Sequence, residues 1–410
     1  MTVKLKILIV ALIISGCSNT GSKILDFSLE PIAVNGYQDS AKQIPISESV
    51  LSLEGYFVWG GSVVKGDDGR YHMFFSMFDA GPDKPKFSDS WLLTSKIGYA
   101  VSDEPDRGFD FQKIVLYGAA VEGDLAAWDA QGVHNPHIKK FKGKYYLYYI
   151  GSRDPGERPE GDPGYGLNAR NRIQQVQAVA VIAVDRIEDL VNGNFKRPAK
   201  PMLTARTRVK PQPVIDPSPA GTEALPDNLI VVNPTVEYRP SDGKYLMYFK
   251  GNLYDPGWRG AHGLAMADTP EGPFKPIDQF MFELRTEDGK IASAEDPYVW
   301  YHPGTNLFYA VFKDFHGNFT GSDPALAMMI SEDGVNWKLH PKKIFARKEI
   351  PLNDGASISL ANFERPQFLI NEKGEPVAFY AACSISGCGP KTDGSTFNAQ
   401  FSISTFSLKD

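Results

Sequence analysis

Two glutamates of this chain stand in the same local setting, which suggests that they act together. Glu295 and Glu364 each lie two residues before a proline that opens an apolar, strand-like run. Hydrolysis of a glycosidic bond needs two such carboxylates across a cleft, because one protonates the leaving oxygen while the other acts as base or nucleophile. We predict Glu295 as the general acid and Glu364 as the base. The alternative is that one or both form structural ion pairs with Arg365 or a nearby lysine.

A third carboxylate, Asp129, lies in a loop that contains Gly and Ala, shortly before a similar proline. As a member of the same cluster it could serve as the base in place of Glu364. As an ordinary turn residue its side chain would only hydrogen-bond to the local backbone. The sequence leaves both interpretations open.

Most other residues beside these prolines are expected to hold the substrate. Amides and cations bind sugar hydroxyls, and the apolar face of a tryptophan can stack on a sugar ring. His134 could equally be a structural histidine with both nitrogens bonded, and Asp296 could orient Glu295 or cap its turn. The predicted substrate-binding residues are Trp59, His134, Asn135, Asn233, Lys250, Asp296 and Arg365.

Other aromatic and basic residues near the same loops give weaker signals. Trp128 and Trp258 could add stacking surfaces, whereas Trp300 falls inside an apolar run and is expected in the core. Arg170 and Arg172 could reach an anionic substituent such as sulfate or uronate. They are equally well explained as solvated loop charges.

The candidate residues recur at one place in a phrase that the chain repeats five times. Each copy has an apolar strand, a turn that usually carries Gly, and a second strand rich in aromatic residues. The copies are GGSVVKGDDGRYHMFFS (60–76), NPHIKKFKGKYYLYYI (135–150), NPTVEYRPSDGKYLMYFK (233–250), DPYVWYHPGTNLFYAVFK (296–313) and RPQFLINEKGEPVAFYA (365–381). Starts spaced by roughly 60 to 100 residues are typical of decorated propeller blades.

The repeats predict an all-β fold, a five-bladed β-propeller with its active site at the mouth of the central channel. A second alternating segment follows each of the first four copies, and period-2 alternation predicts further strands. The fifth blade lacks an outer strand, and residues 24–34 could supply it and close the ring. We therefore predict one catalytic propeller domain over residues 24–410, with very little helix.

The N-terminus has the features of an export signal. Two lysines precede an apolar run that is too short to span a bilayer, and the run ends in Ile14-Ser15-Gly16-Cys17. This end resembles a bacterial lipobox, which implies a signal peptide at 1–16, lipidation of Cys17 and a tether at 17–23. The expected location is the bacterial cell envelope, lipid-anchored in the periplasm or at the outer membrane. The alternative is a buried N-terminal strand with a chance cysteine.

Composition limits the classes of partner. Of the 410 residues, 42% are hydrophobic and 12% aromatic, which supports a large packed core. The formal net charge of −6 without basic runs argues against nucleic acid as a partner. The carboxylate pair makes an oligosaccharide or polysaccharide the expected partner. Cys383 and Cys388 could form a local disulfide or remain free thiols. No cofactor is required, and the oxygen-rich channel permits a structural calcium ion.

Several motifs resemble the five-bladed propeller glycosidases, which include glycoside hydrolase families 43, 32, 62 and 117. The resemblance covers residues 56–408 and rests on the X-Pro strand starts, the GKYYLYY hairpin (143–149) and AMADTPEGPF (265–274). A family 43 enzyme usually has a catalytic Asp-Pro in its first blade, where this chain has Gly60-Gly61. The family's pKa-tuning aspartate aligns with His137. The chain is thus identified as a divergent member of this superfamily.

The resemblance implies an exo-acting glycoside hydrolase that trims terminal sugars from oligosaccharides of a complex plant or algal polysaccharide. Two alternatives stay open. One is a phosphorylase similar to the family 130 propellers, in which phosphate attacks and Lys250, Lys313 and Arg365 supply positive charge. The other is a non-catalytic, sugar-binding lipoprotein, an alternative motivated by the missing blade 1 aspartate.

Overall fold

A computed structural model describes residues 23–38, 43–154, 173–174, 176–206, 223–254, 258–385 and 394–407. The predicted signal peptide, Cys17, Arg170, Arg172 and Cys388 lie outside these ranges, as does the side chain of Trp258. Within the described part of the chain, no helix has the length and apolar character needed to cross a bilayer.

Strands make up most of the described chain. In order they are β1 Leu25–Leu29, β2 Val50–Leu51, β3 Tyr56–Lys65, β4 Tyr71–Asp79, β5 Lys96–Ser102, β6 Asp110–Leu116, β7 Gly132–Phe141, β8 Lys144–Ser152, β9 Ala178–Val184, β10 Val232–Arg239, β11 Lys244–Tyr254, β12 Trp258–Ala267, β13 Lys275–Pro276, β14 Ala294–His302, β15 Leu307–Asp314, β16 Ala325–Ser331, β17 Lys338–Arg347, β18 Glu349–Pro351, β19 Ser357–Ile370, β20 Pro376–Ile385 and β21 Phe397–Ser407. The described helices are short: α1 Phe87–Leu93, α2 Ile187–Val191 and a 3₁₀ turn at Ala119–Glu122.

The strands form five antiparallel sheets, which are the five blades of a propeller. Blade 1 contains β3 to β6, blade 2 β7 to β9, blade 3 β10 to β13 and blade 4 β14 to β17. Blade 5 has the order β1-β21-β20-β19-β18, with β2 also pairing with β21. The predicted fold is therefore confirmed.

The ring closes in the way that the sequence predicted. Strand β1 pairs with β21, and the register places Leu25 opposite Ser407 and Leu29 opposite Ile403. Phe27, at the centre of β1, is fully buried and lies 5.4 Å from Trp300 and 5.3 Å from Tyr309 between ring centroids. The N-terminal segment thus supplies the outer strand of the last blade.

Apolar side chains fill each of the five interfaces between neighbouring blades. At the interface of blades 4 and 5, the Trp300 and Phe368 ring centroids are 5.1 Å apart, and those of Phe368 and Phe379 are 4.9 Å apart. Aromatic residues suit this position because they fill large gaps with few rotatable bonds. Aromatic residues of both the first and the second strands of the repeat therefore pack blade on blade.

Each inner strand has a β-bulge, which in blades 2 to 5 lies at the residue before the proline and in blade 1 lies at the Gly60-Gly61 pair. The pairing register shifts there in all five blades. Asn135, Asn233, Asp296 and Arg365 adopt positive φ angles of 49°, 54°, 58° and 55°, whereas Gly60, at the corresponding place in blade 1, does not. Left-handed backbone is uncommon for residues other than glycine, and proline disfavours helical backbone in the residue before it. The bulges direct these side chains into the mouth of the channel.

Two residues further along each inner strand, a second layer of side chains closes the channel. Ser62 Oγ, His137 Nε2 and Thr235 Oγ1 each accept a backbone N–H of the following blade, at 3.1, 3.1 and 3.5 Å. His137 Nδ1 lies 3.1 Å from Oε1 of Gln367 on the far side. This layer joins the blades at their centre and forms the floor beneath the mouth.

Candidate active site

A pocket of about 140 Å³ opens at the channel mouth, above this floor. Its lining contains every predicted catalytic and substrate-binding residue except Asp129. The residues brought together are Trp59, His134, Asn135, Asn233, Lys250, Glu295, Asp296, Glu364 and Arg365. The convergence follows from the bulges, because the residue before each bulge and the bulge residue itself both reach the mouth.

The residue before the bulge is not the same in all blades, which makes the pocket asymmetric. Blades 4 and 5 place Glu295 and Glu364 there, whereas blades 1, 2 and 3 place Trp59, His134 and Val232. One side of the pocket is therefore acidic and the other is aromatic and apolar. This division is what a site needs if it is to stack a sugar ring on one wall and do chemistry at the other.

Lysines at the ends of the second strands neutralise the two glutamates. Lys250 Nζ lies 2.6 Å from Glu295 Oε1, and Lys313 Nζ lies 2.6 Å from Glu364 Oε1. Lys313 also lies 3.7 Å from Glu295 Oε2, so one ammonium contacts both carboxylates. Asn362 Nδ2 donates to Glu364 at 2.9 Å. The glutamates therefore do form ion pairs, but within a pocket to which their side chains remain 19% and 16% exposed.

These contacts set the charge of Glu295. Burial alone would raise the pKa of this carboxyl, but the charges of Lys250 and Lys313 outweigh it and hold the pKa well below its usual range. Burial would likewise lower the pKa of Lys313, and the two glutamates raise it instead. Glu295 is thus ionised in the substrate-free protein, a state that suits a base or nucleophile better than the predicted general acid.

Asp296 is the centre of a hydrogen-bonded belt formed by the bulge residues. Asn135 Nδ2 donates to Asn233 Oδ1 at 2.8 Å, and Asn233 Nδ2 donates to Asp296 Oδ1 at 2.5 Å. Arg365 donates its backbone N–H to Asp296 Oδ2 at 3.1 Å and Nη1 to Oδ1 at 3.4 Å. Burial and the neighbouring Glu295 raise the pKa of Asp296 above its usual range, and Arg365 opposes them. The belt orients the pocket residues of blades 2 to 5.

Arg365 also explains why blade 1 has no carboxylate at this level. Its side chain lies directly over Gly60, so a Cβ built at Gly60 would be 2.7 Å from Arg365 Cβ and 3.2 Å from Nε. The first of these distances is too short for any residue larger than glycine. The place that the resemblance assigns to a catalytic aspartate is therefore filled by a guanidinium group from blade 5.

Helix α1 supplies two pocket residues that the sequence analysis missed. Phe87 packs on Trp59 with ring centroids 4.9 Å apart, and Trp91 lies edge-on to His134 at 5.4 Å. Both line the pocket. Their spacing of four residues is the signal for one face of a helix, but a single seven-residue segment is too short for that pattern to stand out.

His134 reaches the pocket as a neutral residue. It is buried, with Nε2 3.0 Å from Gln177 Nε2 and Nδ1 3.5 Å from Ser95 Oγ. Because an amide nitrogen only donates, Nε2 accepts and the ring hydrogen is on Nδ1. Burial lowers the pKa of His134 to about 3. Both ring nitrogens therefore already have protein partners, as the structural alternative expected, and the ring holds no positive charge near neutral pH.

The structure does not bring Asp129 to the pocket, and we correct that assignment. The side chain is fully buried, and Oδ2 accepts from Arg197 Nη1 at 2.7 Å and from the Tyr149 hydroxyl at 2.9 Å. Trp128 beside it packs on Tyr149, donates its ring N–H to the backbone carbonyl of Pro198 and does not line the pocket. Both residues therefore attach the loop before blade 2 to neighbouring parts of the fold.

The carboxylates at the mouth that could bind a metal ion already have cationic partners in the protein. No group of three or more His, Cys, Asp or Glu among the described residues is arranged to hold a metal ion, and the pocket carboxylates already contact cations. The structural calcium ion stays a prediction. Cys383 is a free, buried thiol on β20, and burial raises its pKa.

Comparison with known proteins agrees with this architecture. No protein-family model matches the chain. Solved structures that it resembles include a family 117 glycoside hydrolase of Zobellia galactanivorans, with 16% identity, TM-score 0.52 and coverage of 95% of this chain and 93% of the other. The catalytic domain of a family 62 α-L-arabinofuranosidase of Coprinopsis cinerea has 12% identity, TM-score 0.53 and coverage of 93% and 98%. This chain has the fold of the five-bladed propeller glycoside hydrolases.

One curated relative shares sequence with part of the chain. It is a β-1,2-mannobiose phosphorylase of Thermoanaerobacter sp. (strain X514), 32% identical over 111 residues. The match covers 26% of this chain and 33% of the relative, so the chain matches about a third of that enzyme's length.

Proposed function

We propose that the protein is an exo-acting glycoside hydrolase that removes terminal sugars from oligosaccharides of a complex plant or algal polysaccharide. The observation that carries this proposal is the pair Glu295 and Glu364, which share Lys313 inside a small pocket with a closed floor. At about 140 Å³ the pocket is smaller than the roughly 300–1,000 Å³ typical of sites for drug-sized ligands. It suits one terminal sugar rather than an extended chain.

The ion pairs of Glu295 favour it as the base or nucleophile, which reverses its predicted role, and leave Glu364 as the second carboxylate for the acid role. Glu295, held ionised by Lys250 and Lys313, acts as base or nucleophile. Glu364 then protonates the leaving oxygen as the bond to the sugar breaks. Asn135, Asn233, Arg365 and Trp59 hold the terminal sugar. Asp296 has an indirect role, because its hydrogen bonds orient Asn233 and Arg365.

Kinetics with Glu295→Gln and Glu364→Gln test these roles on oligosaccharides and on aryl glycosides with good leaving groups. A variant that lacks the acid stays active on the aryl glycosides, because a good leaving group needs no protonation. A variant that lacks the base or nucleophile is inactive on both and is rescued by azide. We expect the first behaviour from Glu364→Gln and the second from Glu295→Gln.

Glu372→Gln is the matched control, because Glu372 is exposed in the turn at the other end of β19 and β20. It should keep wild-type rates on every substrate. Sugar binding by the wild type without release from any substrate of the panel would contradict the proposal and favour the non-catalytic sugar-binding alternative.

Phosphorolysis is a second candidate, and the contact of Arg365 with Gly60 specifically favours it. A phosphate dianion attacks without a protein base, so a site in which a guanidinium replaces the blade 1 carboxylate still supports that reaction. Lys250 and Lys313 add positive charge, and the curated relative is named as a phosphorylase. Product analysis with and without inorganic phosphate separates the two candidates: a sugar 1-phosphate that appears only with phosphate indicates phosphorolysis, and free sugar in both indicates hydrolysis.

We also propose that Cys17 anchors the protein to the bacterial envelope by a lipid. The basic residues, the short apolar run and the small residues before Cys17 support this. Fractionation of cells that express the wild type or Cys17→Ser tests it. Recovery of the wild type with membranes and of the variant in the soluble fraction is expected, and equal distribution of both would contradict an anchor at this residue.

A further inference from the structure

We propose that Lys313 is a positioning residue that sets the charge state of both glutamates, so that the acid and the base of the site are tuned by one shared ammonium group. This inference rests on the proposed function. It gives Lys313 a role toward both glutamates, beyond its contact with Glu295, and it follows from how Lys313 is held.

Lys313 touches three groups that come from different parts of the ring. Its Nζ lies 2.6 Å from Glu364 Oε1 on blade 5 and 3.7 Å from Glu295 Oε2 on its own blade. It also lies 4.2 Å from the centroid of the Phe315 ring, within range of a cation–π interaction. The side chain is 18% exposed. A lysine fixed in this way cannot turn to solvent without losing all three contacts.

The loop that carries Phe315 is built on the neighbouring carboxylate. Asp314 is fully buried, and its two oxygens accept the backbone N–H groups of residues 316, 318, 319 and 320 at 3.0 to 3.3 Å, together with the Thr320 hydroxyl at 3.0 Å. All of its acceptor capacity is thereby directed to the loop. Asp314 therefore does no chemistry at the mouth but fixes the segment that places Phe315 on Lys313.

The two glutamates depend on Lys313 to different degrees. Glu295 has a second cation, Lys250, at 2.6 Å, whereas the other contact of Glu364 described here is the neutral amide of Asn362 at 2.9 Å. When Glu364 gives its proton to the leaving oxygen it becomes an anion, and Lys313 lies in place to stabilise that charge. When Glu364 is protonated, the same ammonium is free to move closer to Glu295. The other charged groups of this cluster are Asp296 and Lys348, which interact with Lys313, and Lys250 and Arg365, which interact with Glu295.

The test compares Lys313→Met, which keeps length and loses charge, with Lys313→Arg and with Lys343→Met, an exposed lysine on β17. The readout is the pH dependence of kcat/KM. An opposite charge within a few ångströms shifts a carboxyl pKa by about one to three units. We expect both limbs of the Lys313→Met profile to move to higher pH by about one unit or more, Lys313→Arg to restore them, and Lys343→Met to match the wild type. A uniform loss of rate with unmoved limbs would overturn the proposal.

A second measurement does not depend on activity. The melting temperature of the same proteins is followed between pH 3 and pH 8. The deficit of Lys313→Met should be largest near neutral pH and shrink on acidification, because the glutamates become protonated and no longer need the cation. An equal deficit at every pH would overturn the role of Lys313 even if the wild type proves to have no glycosidase activity. Absence of activity alone would instead count against the proposed function.

Discussion

His137 and Gln367 meet across the centre of the channel, where His137 Nδ1 donates to Gln367 Oε1 at 3.1 Å. The other ring nitrogen, Nε2, accepts the backbone N–H of Val236 at 3.1 Å. These two contacts use both nitrogens and fix one neutral tautomer. A second proton would have to go to Nε2 and break the bond to blade 3. The residue that aligns with a pKa-tuning aspartate in related enzymes is therefore a structural link between blades.

This arrangement predicts a loss of stability in mild acid. Burial lowers the pKa values of His134, His137 and His262 to about 3, whereas an unfolded histidine titrates near 6.5. Between those values the unfolded chain binds more protons, so the free energy of unfolding rises with pH and falls on acidification. Each histidine contributes a slope of up to about 1.4 kcal/mol per pH unit. Urea unfolding between pH 7 and pH 4.5 measures the slope.

His137→Gln should reduce this slope, because glutamine keeps one donor and one acceptor but does not titrate. His316→Gln is the control, since His316 is exposed and should leave the slope unchanged. A His137→Gln protein with the full wild-type slope would contradict the assignment.

Gly60→Ala tests the contact with Arg365. The added methyl group would meet the arginine side chain, and overpacking of this kind typically costs about 1–3 kcal/mol. We expect both stability and kcat/KM to fall as Arg365 and the belt are displaced. In an Arg365→Gly background the same change should cost less than about 0.5 kcal/mol, because the Cβ that obstructs the added methyl group is gone. If Gly60→Ala lowered the free energy of unfolding equally in both backgrounds, the strain would not come from its contact with Arg365.

Asp129→Asn and Arg197→Met separate structure from catalysis. Removing one partner of a buried ion pair leaves the other charge uncompensated and typically costs about 3–5 kcal/mol. We expect Arg197→Met to lose stability of that order, while kcat/KM per folded molecule stays near the wild-type value for both variants. Arg186→Met, which alters an exposed ion pair, should be close to neutral. A large loss of kcat/KM in stably folded Asp129→Asn protein would show that Asp129 takes part in catalysis after all.

Phe27→Ala tests the closure of the ring. Phe27 is fully buried against Trp300 and Tyr309, and truncation of a buried phenylalanine costs about 3–5 kcal/mol. Phe406, on the partner strand and 52% exposed, provides the matched control, for which Phe406→Ala should be nearly neutral. Urea denaturation with a global probe should show the difference, and similar midpoints for both variants would contradict a closing role for β1.

The repeat determined most of what could be predicted from sequence. The bulge places the two residues that precede each proline at the mouth. The position of a residue in the repeated phrase therefore predicts where it lies in the propeller. Asp129 lies outside the phrase, and its direction depends on Gly151, where a Cβ would lie 2.5 Å from Asp129 Cβ, and on Arg197, which is 68 residues away. The charge of Glu295 likewise depends on Lys250 from another blade. Local sequence does not encode such encounters.

The pairing of β1 with β21 also bears on how the molecule assembles. Blades 1 to 4 are built from strands that follow one another in the chain, so each can form from a continuous segment. Blade 5 joins residues from opposite ends of the domain, and contacts between such distant segments form slowly. Until β1 arrives, the edge of β21 is unpaired and can accept a strand from another chain. A second copy would supply the same strand with the same register, so dimers that exchange β1 are the expected product of folding at high concentration.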